Sequence, residues 1–274
     1  MPKSPAMTRS FHKMHGLGND FAVFDAREQP LAMSPALAMA LADRHTGIGC
    51  DQLIVIEPSD AADVRMRIWN ADGSEVEACG NASRCVAALV GKDCSIETAG
   101  GLLQASPTAE GASVDMDQPR FDWNGIPLAY AMDTAPLPLG WEMLDRPMAV
   151  NVGNPHLVFF VPDIDAVPLD RLGPQIETDP LFPERINVNI AQVVDRTHIR
   201  ARTWERGAGL TRACGTGACA TAVAVIWSGL AENRVVVELP GGPLTIEWQP
   251  GGNIRMTGAA TLAFTGAVDI AAFQ

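Results

Sequence analysis

Cys79 and Cys214 share one immediate setting, Ala-Cys-Gly, and lie 135 residues apart. Two positions after each stands a good helix N-cap, Asn81 or Thr216, followed by an apolar run; such side chains offer an acceptor to the N–H groups of a first turn. A thiol there lies in the positive end of a helix dipole. That lowers its pKa from about 8.5 and makes thiolate available near neutrality. The N–H groups of Gly80-Asn81 and Gly215-Thr216 form an anion site beside it, and each glycine lets a ligand approach the backbone closely. Two such helix ends brought to one site would hold a carboxylate between two sulfurs. One thiolate would then take the α-proton from one face while the other thiol protonates the opposite face. Configuration inverts without a cofactor, and the same N–H groups stabilise the ene-diolate charge.

The 135-residue offset extends beyond the cysteines. Eight of the twenty-seven positions in 64–90 are identical in 199–225, where average amino-acid usage would give about two. An offset close to half of 274 residues predicts a duplicated domain rather than a short-period array. It also aligns Asn19 with Asn154, Gln52 with Asn187 and Asn70 with Glu205. Each of these alone reads as a turn residue; together they form a candidate set for the amino and carboxylate groups of a ligand. The copies differ where Asn70-Ala71 faces Glu205-Arg206. An acid and a guanidinium on one side only predict a substrate with a further charged end, its carboxylate clamped by Arg206 and its ammonium received by Glu205. His156, beside Asn154, is a candidate for tuning a thiol pKa, as is Glu205; His15 is a weaker one.

Cys50, Cys85, Cys94 and Cys219 read as small buried hydrophobes. The cysteine spacings do not fit zinc, so no metal is expected. A net charge of −12 argues against a nucleic-acid or anionic-membrane partner. No apolar run reaches eighteen residues and the N-terminus lacks an apolar leader core. The expectation is therefore a cytoplasmic protein acting on a small molecule, with residues 1–9 as a loose tail.

Periodicity and turn signals predict an α/β fold of the α+β type. It consists of two pseudo-symmetric domains, each a mostly antiparallel curled sheet around a central helix. The first domain is expected over 1–120 and carries Cys79. The second spans 121–274 and carries Cys214, with its last strand free to pack back on the first. Strands are predicted at 21–25, 53–57, 64–69, 95–98, 102–105 and 112–116, and again at 157–161, 188–194, 199–204, 235–239, 244–248 and 254–256. Helices are predicted over 34–43, 81–90, 167–172 and 216–228. The helices at 82–90 and 218–227 are read as apolar nearly all round, and the Pro/Gly-rich stretch 119–147 as the crossing between domains.

The stretches His15-Gly-Leu-Gly-Asn-Asp-Phe21, Gly47-Ile-Gly-Cys-Asp-Gln52, Asn70-Ala-Asp-Gly-Ser-Glu75, Ala78-Cys-Gly-Asn81, Gly153-Asn-Pro-His156, Glu205-Arg-Gly-Ala-Gly209 and Ala213-Cys-Gly-Thr-Gly-Ala-Cys219 resemble the diaminopimelate epimerases, in order and over nearly the whole chain after residue 10. The resemblance implies an enzyme that interconverts LL- and meso-diaminopimelate without pyridoxal phosphate, on the route to lysine and peptidoglycan. It implies Cys79 and Cys214 as acid and base. Ligand contacts are implied at Asn19, Gln52, Asn70, Gly80, Asn81, Asn154, Asn187, Glu205, Arg206, Gly215 and Thr216, and a homodimer is common in the family. Ala82 and Leu210 depart from common family residues, at positions outside the matched site. Three other readings stand beside it. A proline or hydroxyproline racemase is similar in fold, but the Glu205-Arg206 pair argues against a substrate lacking a distal charge. A dithiol redox protein would cycle through a Cys79–Cys214 disulfide. A binding module would keep affinity without turnover.

Overall fold

The computed structural model describes residues 8–77 and 79–273. Ala78 and residues 1–7 of the expected tail lie outside the described residues; Thr8 and Arg9 are not tail but the start of a strand. In chain order the elements begin with β1 (Thr8–Gly16), β2 (Asn19–Asp25), α1 (Pro35–Ala42), β3 (Gln52–Glu57), β4 (Val64–Asn70), β5 (Glu75–Val76), α2 (Gly80–Val90), β6 (Cys94–Thr98), β7 (Gly101–Thr108) and β8 (Gly111–Met116). They continue with β9 (Gly140–Trp141), β10 (Leu144–Asp145), β11 (Met148–Asn151), β12 (Pro155–Phe160), α3 (Leu169–Glu177), β13 (Asn187–Val193), β14 (His198–Glu205), β15 (Gly209–Leu210) and α4 (Gly215–Trp227). The chain closes with β16 (Arg234–Leu239), β17 (Gly242–Glu247), β18 (Ile254–Gly258), β19 (Thr261–Asp269) and a 3-10 turn. The chain divides into two compact units, residues up to 114 with 258 onward, and residues 115–257.

Within the first unit β1 pairs antiparallel with both β2 and β19, so the last long strand lies against the first. Two pairs are parallel, β2 with β3 and β4 with β6. Parallel neighbours need a crossover connection, and the chain between them supplies α1 in one case and α2 in the other. Ser34 starts α1 by accepting the Leu37 N–H, with Pro35 in the first turn. Gly91 ends α2 in the left-handed conformation, φ 73°. The core joins α1 to the sheet through Phe11, Phe24, Leu37, Leu41, Leu53, Val55 and Trp69.

The second unit repeats this plan. Its parallel pairs are β12 with β13 and β14 with β16, bridged by α3 and α4. The registers repeat as well. Phe21 sits opposite Gln52, and His156 opposite Asn187; Leu53 faces Trp69, and Val188 faces Trp204. Since one residue of slip would move every side chain to the other face, the two copies present corresponding residues on corresponding faces. Only the first pairing departs, by one residue: Met14 faces Phe21, whereas Ala149 faces Leu157.

Stretch 119–147 is not a bare crossing. Ile126, Leu128, Leu137 and Leu144 are buried in the second unit's core, and β9 and β10 form a small hairpin. Isolated apolar anchors between prolines and glycines carry no period, so the pattern hides them. Helix α4 is buried along eleven of its thirteen residues, on β12, β13, β14, β16 and β17. Helix α2 is buried over its first two turns, but not as an apolar rod: Arg84 is among its fully buried residues.

Gly173 in α3 lies where a Cβ would meet the Trp204 ring at 2.4 Å. The atoms met are Cγ and Cδ2 beside the Trp204 backbone, which cannot swing aside. Gly173→Ala is therefore expected to cost about 1–3 kcal/mol by overpacking, read as a lower midpoint in denaturant with an unchanged slope.

Candidate functional site

Each expected cysteine stands at the N-cap position of its own helix. Cys79 is the N-cap of α2 and Cys214 the N-cap of α4, both with extended backbone. This corrects the expectation that Asn81 and Thr216 cap; each is the second residue of its helix, two past the cap. In α4 the cap is made by sulfur, since Gly217 N–H donates to Cys214 Sγ at 3.3 Å and Ala218 N–H to the Cys214 carbonyl at 3.0 Å. The N–H groups of Gly215 and Thr216 precede this ladder, as those of Gly80 and Asn81 do in α2. Gly217 has no room for a side chain, because a Cβ would lie 2.7 Å from Asn189 Oδ1 and from Thr203 Oγ1.

The helix terminus does not lower the Cys214 pKa as expected. Burial pushes it well above the usual thiol value and the Glu205 charge adds to the rise; the donors Thr216 and Gly217 pull the other way and lose. Glu205 acts on Cys214 through its charge, and Thr211 Oγ1 donates to Glu205 Oε1. Burial also raises the Glu205 pKa. Thiol and carboxyl thus form a partly desolvated pair in which two negative charges are disfavoured. Cys50, Cys85, Cys94 and Cys219 are buried, as expected, and burial raises the first to about 11 and the second to about 12.

In the first unit, Cys79 Sγ donates to Asn19 Oδ1 at 3.9 Å, and Asn81 Nδ2 donates to the same oxygen at 3.2 Å. Arg84 Nη2 donates to Asn81 Oδ1 at 2.9 Å. Gln52 Nε2 donates to Asn70 Oδ1 at 3.0 Å. The other Gln52 amide atom, Oε1, is buried without a partner among the described residues.

In the second unit, His156 Nε2 donates to Asn154 Oδ1 at 2.8 Å and His156 Nδ1 accepts from Asn189 Nδ2 at 3.1 Å. Thr203 Oγ1 donates to Asn189 Oδ1 at 2.9 Å. Asn187 is tied to backbone at both ends, donating to the Pro155 carbonyl and accepting from Arg206 N–H. Arg206 Nη1 donates to the Glu184 carbonyl at 2.9 Å. His156 is fully buried, and burial pushes its pKa to about 3, so it is a neutral ring at physiological pH. It acts on its surroundings as an oriented donor to Asn154 rather than as a charge.

Asn189, Thr203, Thr211 and Arg84 were not singled out from sequence. Two of them carried a usable signal: Asn189 follows Asn187, and Thr203 precedes Glu205, by two residues on the same strand, hence on the same face.

The chain matches the family described as diaminopimelate epimerase over residues 11–121 and 148–263. The diaminopimelate epimerase of Rhizorhabdus wittichii is 66% identical over 96% of both chains. That of Sphingopyxis alaskensis is 61% identical over 97% of this chain and all of its own. A hydroxyproline epimerase structure from Agrobacterium vitis, with trans-4-hydroxy-L-proline bound, covers 95% of this chain and 91% of its own at TM-score 0.67 and 16% identity, a likeness of fold.

The neutral, buried His156 predicts acid sensitivity. Its pKa is about 3 folded and 6.5 when exposed. The unfolded chain binds the extra proton between those values, so stability rises with pH across that window. Stability should fall by about 2 kcal/mol between pH 6.5 and pH 5 from this group. Denaturant titrations of His156→Gln should show that part of the pH slope gone. On these grounds of sequence identity and family match, the chain belongs to the diaminopimelate epimerase family.

Proposed function

We propose that this chain interconverts LL- and meso-diaminopimelate without a cofactor, Cys79 and Cys214 exchanging the α-proton on opposite faces. The observation that carries the reading is that each family-matched cysteine stands at the N-cap position of its own buried helix, at equivalent places in two copies of equal register. A thiolate sulfur takes the α-proton and becomes a thiol; the electron pair moves into the carboxylate as an ene-diolate; the opposite thiol gives its proton to the α-carbon and becomes thiolate. First-turn N–H groups of Gly80, Asn81, Gly215 and Thr216 receive the developing charge, an interaction that has been worth about 2.7–4 kcal/mol per donor in a protease oxyanion hole. Glu205 carries charge or proton for Cys214 when that thiol changes state, and His156 holds Asn154 in one orientation.

Substrate choice falls to the polar residues. The buried Gln52 Oε1 is an acceptor awaiting a donor, which suits an ammonium. Asn19, Asn70, Asn154 and Asn187 supply further amide groups, and Arg206 with Glu205 supplies the asymmetric pair for the distal carboxylate and ammonium. The likeness to the family supports a homodimer as the working state. A dithiol redox role predicts the opposite dependence on reductant, since it needs the two sulfurs oxidised in turn.

The test is formation of meso-diaminopimelate from the LL isomer by the reduced protein with nothing added. Cys79→Ser and Cys214→Ser should each lose at least about a thousandfold in kcat with little change in fold. Glu205→Gln should lose roughly a hundredfold in kcat and bind the substrate more weakly. Full activity in either serine variant, or activity only after oxidation, would remove the two-thiol reading.

A further inference from the structure

Asn19 can present either end of its amide toward Cys79, and the difference is chemical: one end accepts a proton-bearing sulfur, the other donates to a thiolate. In this structure the choice is made by groups that allow only one answer. Asp51, a carboxylate and hence acceptor-only, takes Asn19 Nδ2 on Oδ2 at 3.1 Å and the Asp20 N–H on the same oxygen at 3.1 Å. Its other oxygen accepts from Arg44 Nη2 at 2.8 Å. Asp20 returns the contact by accepting the Asp51 N–H, and it is itself held by Arg44 and Lys13. At the far end Arg84, a guanidinium and hence donor-only, takes the carbonyl of Asn81. That leaves Asn81 Nδ2 to donate to Asn19 Oδ1, the oxygen that also faces Cys79. Among the described residues, the charged side chains bonded into this chain include Asp20, Lys13 and Arg44 at one end and Arg84 at the other, with the buried thiol Cys85 on α2 near Cys79.

We propose that Asp51 is a positioning residue: by holding the Asn19 amide nitrogen, it turns the Asn19 carbonyl oxygen onto the Cys79 thiol. The interaction favours the protonated sulfur of Cys79, because a carbonyl can accept from S–H and can only repel a thiolate. The second copy shows the contrast. There His156 Nε2 takes the carbonyl of Asn154, so in that copy it is the amide oxygen, not the nitrogen, that a neighbouring side chain holds. At the equivalent positions His156 replaces Phe21, and Ile186 replaces Asp51. The inference deepens the two-thiol reading and rests on it for its significance, but its test does not need turnover.

The test is the pH dependence of iodoacetamide alkylation at Cys79, followed peptide by peptide, in the full-length protein. Asp51→Asn is isosteric at a side chain nearly half exposed, and an amide can turn either way, so Asn19 loses the acceptor-only group on its nitrogen and is held only by the Asn81 donor on its oxygen. The Cys79 alkylation midpoint should move down by about half to one pH unit, the worth of one neutral hydrogen bond. The shift should persist near 0.5 M salt, where exposed charges are screened within about 4–5 Å. Asp51→Glu, which keeps an acceptor-only group, should restore the original midpoint, and Arg44→Gln, which leaves the carboxylate in place, should not reproduce the shift. An unmoved midpoint in Asp51→Asn, a shift that vanishes in salt, or an equal shift in Arg44→Gln would overturn the proposal. If the midpoint stays while LL- and meso-diaminopimelate still interconvert, the positioning role falls and the epimerase reading stands. If the midpoint shifts but no interconversion occurs, the epimerase reading falls alone.

Discussion

A helix whose first turn is buried must find acceptors for N–H groups that its own carbonyls do not reach. Helix α4, sunk in its unit from Gly215 to Ile226, meets part of that demand with the sulfur of Cys214. The rest of the site follows from it. Gly217 has to be glycine so that Asn189 and Thr203 can crowd the turn. Asn189 in turn fixes the His156 ring, and that ring fixes Asn154. The N–H groups ahead of the ladder remain for an anion. The same burial makes the thiolate costly, which is why Cys214 is held protonated beside Glu205 rather than activated by its helix.

Duplication explains why a cysteine stands at a helix N-cap twice, on the same frame and with different wiring. Parallel pairs bridged by helices, and strand registers that match at the 135-residue offset, keep corresponding side chains on corresponding faces. On that common frame Asn19 is governed by a carboxylate and Asn154 by an imidazole, while Asn70 gives way to Glu205. Frame symmetry suits a proton exchange that must run from either face. Polar asymmetry suits a substrate whose two ends differ.

Much of this could be read in the sequence. The repeat located both cysteines, their helices and the paired polar residues, because identical registers preserve identical spacing. Four things escaped. Strands β1 and β19 were missed: β19 is exposed along most of its length, so no alternation of buried and exposed residues marks it. The caps were placed two residues late, because Asn81 and Thr216 are better caps by residue type than cysteine is. Arg84 was absorbed into an apolar reading of α2, although it is the buried donor that orients Asn81. The thiol pKa went wrong at Cys214 for one reason: sequence shows a helix end but not how deeply it is buried.

The central claim is that two different groups, one in each copy, handle the proton. The most direct measurement follows early turnover of LL-diaminopimelate in deuterium oxide under reductant. Two thiols predict that deuterium enters the meso product while recovered LL substrate stays protiated, because the proton removed on one face is not the one returned on the other. Deuterium appearing in recovered LL substrate as fast as in product, or product that retains the original hydrogen, would show a single group at work and contradict the account.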